Sequence, residues 1–234
     1  MSEPASHYEH RRLENDLIAL EIFDPDIHSA PFVEVLKADP DAFRYVSFPP
    51  IDTKEDFVRE VYDKGFRTPT EDCLYVIFDK SAIKEEMNTS SKYAGVLSLN
   101  GTSPENAVTE LGVMVFPQFQ RTHVTTNAIG LALLRLLDPP SAGGLGLRRV
   151  EWRTHTGNTA SRTTALRMGF EFEGISRWHR AFADAKLGLP VGALEKRNGT
   201  KREASGRHTA NFSIVWDEWD EKRPKVVELM ARKV

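Results

Sequence analysis

The sequence predicts an α+β fold of the mixed α/β kind, with a mixed central sheet of about seven strands flanked by helices. Three observations predict it. Short apolar runs with hairpin chemistry fill the middle of the chain, at Leu74–Phe78, Ala94–Leu99 and Val108–Phe116. One later segment, Val124–Leu137, is apolar on nearly every face, which requires a helix buried on most sides. From Val108 onward, elements alternate as strand–helix–strand–helix–strand, the order that gives a sheet with helices packed on it.

Taken in order, residues 1–16 read as a flexible N-terminal tail ahead of a single domain over 17–234. Leu17–Ile22 alternates weakly, as a strand does. Pro31–Lys37 reads as a short helix with proline at a tolerated early position. Asp52 and Glu55 stand as a capping-box variant before a helix over Lys54–Lys64, whose inner face carries Phe57, Val58 and Val61. The polar stretch Asp79–Lys92 lacks any period and reads as a surface loop. GTSPEN joins the two strands around it as a hairpin turn, and Pro117 closes the second strand because proline cannot donate to a ladder. Asp138-Pro139-Pro140 stops the apolar helix. Arg149–Thr154 alternates as a half-buried strand. Asn158–Met168 is a helix with Asn158 as N-cap and Gly169 as its stop. Strands follow at Phe170–Ile175 and Thr209–Trp216, and a helix at Glu218–Arg232. The charged, glycine-containing segment 184–206 between those strands reads as an inserted loop.

Composition narrows the function. With 234 residues, the chain is long enough to bury a core without staples. The formal net charge of -3 argues against a dedicated nucleic-acid binder. The single cysteine, Cys73, permits no internal disulfide and sits in the apolar run CLYVIF, as a buried thiol would. No apolar run approaches the ~20 residues that span a bilayer, so no membrane association and a cytoplasmic location are expected. The seven histidines are scattered without metal-ligand spacing, so no metal is expected. Residues 1–60 hold 14 acidic and 6 basic side chains, whereas 177–207 hold 8 basic and 3 acidic. That asymmetry reads either as two solvated faces or as an acidic approach for a cationic amine and a basic one for phosphates.

The informative unit is ELGVMVFPQFQRTHVTTNAIGLALL, where a strand ends, a short loop passes Gln118–His123 and a long helix begins. A helix N-terminus presents unpaired N–H groups and partial positive charge, so an anion can sit there. Arg121 adds a full charge, and Thr122, Thr125 and Thr126 add hydroxyls that serve phosphate oxygens or cap the helix.

This unit resembles the first motif of the GCN5-related N-acetyltransferase (GNAT) superfamily, most closely its RimJ/RimL-like branch. There WQRTHVNTEA is common and this chain reads FQRTHVTTNA. RRVEWRTHTGNTASRTTALRMGFEFEGISR resembles that branch's strand, N-x-x-S-R helix and GF-x-x-EG turn, and TANFSIVWDEW resembles its last strand and helix start. The resemblance implies a GNAT fold splayed at the cofactor strand, acetyl-CoA as cofactor, and transfer of acetyl to an amine by direct attack. It places Gln120 at the first position of the pyrophosphate loop Q/R-x-x-G-x-G/A, with His123 and Thr125 replacing the two glycines. Main-chain N–H groups of Arg121, Thr122, His123, Val124 and Thr125 would face the pyrophosphate. Val113, Met114 and Val115 would run along the pantetheine, and the N–H of Met114 or Val115 would hold the oxyanion. Asn158 matches the asparagine that contacts pantetheine.

Two roles stay open at this level. Where many relatives carry a tyrosine as general acid, this chain has Ala165, so Ser161 becomes the candidate acid or, equally, a hydroxyl that only binds the cofactor. The amine must lose a proton, and Glu110 or Glu151 could take it, with Glu110 nearer the expected acetyl position. The acceptor is read as a small-molecule amine or amino acid. The alternatives are a protein N-terminus or a CoA-binding regulatory module without turnover, and the assembly is a monomer or homodimer.

Overall fold

The apolar runs close into one mixed sheet of eight strands: β1 (Leu13–Glu14), β2 (Ile18–Ile22), β3 (Cys73–Asp79), β4 (Tyr93–Ser103), β5 (Val108–Val115), β6 (Arg149–His155), β7 (Glu171–Ala181) and β8 (Gly206–Val215). Their spatial order is β1-β2-β3-β4-β5-β6-β8-β7. The computed structural model describes residues 8–46, 48–67, 71–80, 93–181 and 205–232. The helices are α1 (Pro25–Ala38), α2 (Lys54–Phe57), α3 (Asp63–Gly65), α4 (His123–Leu137), α5 (Thr159–Arg167) and α6 (Trp216–Ala231). Every strand pair is antiparallel except β5 with β6, which run the same way because α4 carries the chain from one to the other.

Helix α4 sits against the sheet as its composition requires. Val124, Ala128, Ile129 and Leu133 are fully buried, and Gly130 lets Met230 of α6 approach closely. At its C-terminal end buried Asp138 accepts from the Trp219 indole at 2.8 Å and from Arg223 Nε at 2.8 Å, tying α6 to the end of α4.

Several elements differ from the sequence reading. Leu13–Glu14 is an edge strand on β2 where a tail through residue 16 was expected. Arg12 pairs with Glu14 and Glu21, and Arg11 donates to the Gly143 carbonyl, so this stretch is fastened to the domain. Two residues are too few to show a period. Helix α1 starts six residues earlier than Pro31, because Asp24 accepts from the Asp26 N–H as N-cap and Pro25 occupies the first turn, leaving Pro31 inside the helix. The cap of α2 is Thr53 with Asp56, one residue beyond the pair Asp52 and Glu55. The helix predicted over Lys54–Lys64 widens to a π turn at Val58–Tyr62 before α3. Most of the expected loops at 79–92 and 184–206 lie outside the described residues.

The sheet opens where the site forms. β5 pairs with β6 only at Val108–Glu110 against Arg149–Glu151. Beyond Glu110, β5 stays with β4 as far as Val115 opposite Gly95, and β6 stays with β8 as far as His155 opposite Thr209. Leu111–Val115 therefore presents toward β6 an edge that no other strand pairs among the described residues. The Phe116 N–H donates to the Ala94 carbonyl on β4. By strand alternation Met114 also faces β4, while Val113 and Val115 turn their N–H groups into the opening.

Gly95 holds this geometry. A Cβ there would lie 2.2 Å from the Met114 carbonyl oxygen, at φ +153. Gly95→Ala is expected to cost about 1–3 kcal/mol through overpacking against β5, read as a lower urea midpoint. An unchanged midpoint would contradict this close approach.

Candidate active site

A cavity of about 1100 Å³ fills the opening between β5 and β6. Val113, Met114 and Val115 form one wall, and Trp152, Arg153 and Thr154 the other. The N-terminal turns of α4 and α5 close the end where both strands diverge. Of the expected cofactor-binding residues, Gln120, Arg121, Thr122, Thr125, Asn158 and Ser161 also line it.

The loop between β5 and α4 is shaped without glycine. A 3-10 turn, Pro117–Phe119, follows the strand, and Gln120 Nε2 donates back to the Val115 carbonyl at 3.1 Å. Thr122 is the N-cap: its hydroxyl donates to the Phe119 carbonyl at 2.6 Å and accepts from the Val124 N–H at 3.3 Å. His123 and Thr125 stand where the family pattern has glycines, yet both already belong to α4, so neither needs glycine's freedom. The left-handed residue is Arg121, at φ +61. An L-residue there costs roughly 1–2 kcal/mol, and the conformation sets a guanidinium beside a helix N-terminus.

Two expected ligands do not present side chains to the cavity. Val124 is fully buried, and its N–H is engaged by Thr122. His123 turns its ring away, with Nε2 at 3.3 Å from Asp79 Oδ1.

On the other wall, Asn158 Oδ1 accepts from the Ser161 N–H at 3.1 Å, so the N-cap of α5 orients both side chains. The Trp152 indole donates to Ser161 Oγ at 3.0 Å. Because that oxygen accepts from Trp152, the Ser161 hydroxyl proton can point into the cavity. Ala165 is fully buried, which leaves no room for a tyrosine at that position.

The two carboxylates differ. Glu151 bonds Arg149 Nε at 2.9 Å and also pairs with Arg153, on the wall of a separate groove of about 420 Å³. Glu110 lies 3.4 Å from Arg153 Nη1. Burial pushes its carboxyl above the usual glutamate range, against the pull of Arg153, Arg180 and Arg207. Cys73, pushed up to about 12 by burial, has no nucleophilic character.

Sequence reasoning missed Tyr45, Arg207 and Arg232 on the cavity wall. Tyr45 donates to the Gly157 carbonyl at 3.0 Å. These residues come from the segment after α1, the start of β8 and the end of α6, so no local spacing could announce them. Among the described residues there is no metal-binding cluster of His, Cys, Asp or Glu, and no helix long and apolar enough to cross a membrane.

A parallel strand pair that parts beside a helix N-terminus, with a free edge on one strand, defines an acyltransferase built around a CoA thioester. Residues 18–171 match the acetyltransferase (GNAT) domain, and the chain belongs to that family. A GCN5-related N-acetyltransferase from Brucella melitensis is similar at 26% identity over 95% of this chain and 86% of its own, with a TM-score of 0.71. The fold is shared with Mycobacterium smegmatis RimJ, solved with CoA-disulfide (14% identity, 93% of this chain and 92% of that one, TM-score 0.64). It is shared as well with the microcin C7 self-immunity acetyltransferase MccE, solved with acetyl-CoA and AMP (18% identity, 86% and 93% covered, TM-score 0.62). No curated protein matches the chain. GNAT acetyltransferases use acetyl-CoA, and the residues here fit it: a free strand edge at Val113 and Val115, a cationic helix-start turn at Arg121–Thr125 and an amide at Asn158.

Proposed function

We propose that this chain transfers acetyl from acetyl-CoA to the primary amine of a small molecule or amino acid, in the cytoplasm. The opening between β5 and β6 carries the reading, because a hydroxyl with an available proton faces an unpaired strand edge across it. Bound acetyl-CoA supplies an activated thioester carbonyl. The main chain of Val113 and Val115 orients the pantetheine arm, and the first α4 turn with Arg121 holds the diphosphate. The Val115 N–H, not committed to β4, stabilises negative charge on the carbonyl oxygen. Glu110 takes one proton from the acceptor ammonium through water, since its side chain is set back from the cavity wall. The free amine then forms the N–C bond as the C–S bond breaks; Ser161 Oγ–H gives a proton to the departing sulfur and regains one through water from the acylated nitrogen, which sheds its second proton to leave a neutral amide and a thiol. Holding both reactants together lowers the barrier by about 7–11 kcal/mol in favourable cases.

A second reading rests on Arg153, which lines both the main cavity and the groove across β6–β8. Two recesses that share Arg153 as a wall suit an extended acceptor such as a peptide N-terminus. Thiol release measured with a panel of small amines and N-terminal peptides separates the two. Faster turnover of small amines supports the first reading, and turnover of peptides alone overturns it. Acetyl-CoA binding without thiol release from any acceptor overturns both.

A further inference from the structure

Resting on the reading of Glu110 as the base, we propose that the Ser98 hydroxyl on β4 holds the acceptor ammonium and the relay water, and so connects the cavity to Glu110. Ser98 and Gly112 line the main cavity, whereas Glu110 is set back from its wall. β4 and β5 pair so that Ser98 stands opposite Gly112 and Asn100 opposite Glu110. Residues opposite each other, and residues two apart on one strand, share a sheet face. The four positions therefore form one patch, with Ser98 and Gly112 at the cavity and Asn100 and Glu110 beside them.

Gly112 bares the hydroxyl. A Cβ there would lie 2.5 Å from Ser98 Oγ and 3.4 Å from Asn100 Nδ2, so glycine leaves that space to an amine and a water. Asn100 Nδ2 donates to Ser98 Oγ at 2.8 Å. This bond fixes the oxygen, and the hydroxyl keeps a second lone pair for an ammonium and a proton for a water. Gly112 and Glu110 are about 7 Å apart along the strand, a distance that the Glu110 side chain and one water cover together. Arg153 also reaches both the cavity and Glu110, with Nη1 at 3.4 Å from the carboxylate, but a guanidinium only donates and cannot pass a proton on. The transfer balances without a covalent step. One ammonium proton moves to Ser98 Oγ, the Ser98 proton moves to the water, and a water proton moves to Glu110. Ser98 and the water end as they began, with the amine neutral and Glu110 protonated.

The test is a double-mutant cycle read by thiol release with the best amine of the panel. Ser98→Ala should lower kcat/KM for the amine by about 10–100-fold, the range lost with a hydrogen bond to a charged group, and leave the dissociation constant of acetyl-CoA within about threefold of the parent. Its pH profile should keep the acid limb at a lower plateau, because Glu110 still titrates. In the Glu110→Gln background the same substitution should cost about threefold or less, since a relay without its terminal acceptor has little left to lose. Ser98→Thr, which keeps the hydroxyl, should restore most of the activity. An equal Ser98→Ala loss in both backgrounds overturns this inference alone, as does a loss confined to acetyl-CoA binding or a Ser98→Ala enzyme with the parent's kcat/KM. An acid limb that survives in Glu110→Gln overturns the reading of the base and this inference with it, as does thiol release with no acceptor.

Discussion

Glu110→Gln is expected to lower kcat/KM for the amine by about 10²–10⁴-fold, the range removed with a general base. The substitution keeps the shape and loses the proton acceptor. The pH profile carries the sharper expectation. Burial raises the Glu110 carboxyl above its ordinary value, and a general base works in its ionised form. Activity should therefore fall as pH drops through that raised value, with an acid limb lying above the usual glutamate range. In Glu110→Gln this limb should vanish. Glu151→Gln should leave the limb in place, because Glu151 serves Arg149 and Arg153. An acid limb that survives in Glu110→Gln would assign the base elsewhere.

Ser161→Ala is the second large effect. As the acid to the leaving sulfur, Ser161 should cost about 10²-fold or more in kcat when removed, with the dissociation constant of acetyl-CoA within about threefold of the parent. A hydroxyl that only binds the cofactor would give the opposite split: weaker binding and a nearly unchanged kcat. The variant also strands the Trp152 indole, which is 3% exposed and donates to Ser161. An unsatisfied buried donor costs about 1–3 kcal/mol, so a fall in melting temperature should accompany the kinetic loss. A variant with full kcat and the parent's affinity for acetyl-CoA contradicts both roles.

The parts of the fold legible in the sequence were those governed by local chemistry. The apolar runs of β3, β4 and β5 and the all-round apolar α4 sit where period and turn residues placed them, because burial selects their side chains. β1 is too short for any period, and the early start of α1 depends on Asp24 and Pro25, which read equally well as a turn. The π turn at Val58–Tyr62 leaves no mark in residue spacing.

The site divides in the same way. Gln120–Thr125 and Asn158–Ser161 are contiguous in sequence, each on one strand-to-helix corner, and the fold brings both corners to one cavity. His123 and Thr125 replace the two glycines of the family pattern, and the structure starts α4 at His123 and puts the left-handed residue at Arg121. Glu110 and Glu151 stand opposite each other in the β5–β6 register and are equivalent by alternation. Only the surrounding arginines tell them apart. Arg207 and Arg232 reach the cavity through strand and helix packing over distances along the chain that no motif spans.

The free edge of β5 is the feature on which the cofactor reading turns, and amide hydrogen exchange with and without coenzyme A measures it residue by residue. Val113 and Val115 should exchange readily in the free protein and become protected on saturation, while Met114, already in the β4–β5 ladder, changes little. Saturating coenzyme A that leaves Val113 and Val115 exchanging as before would contradict the account.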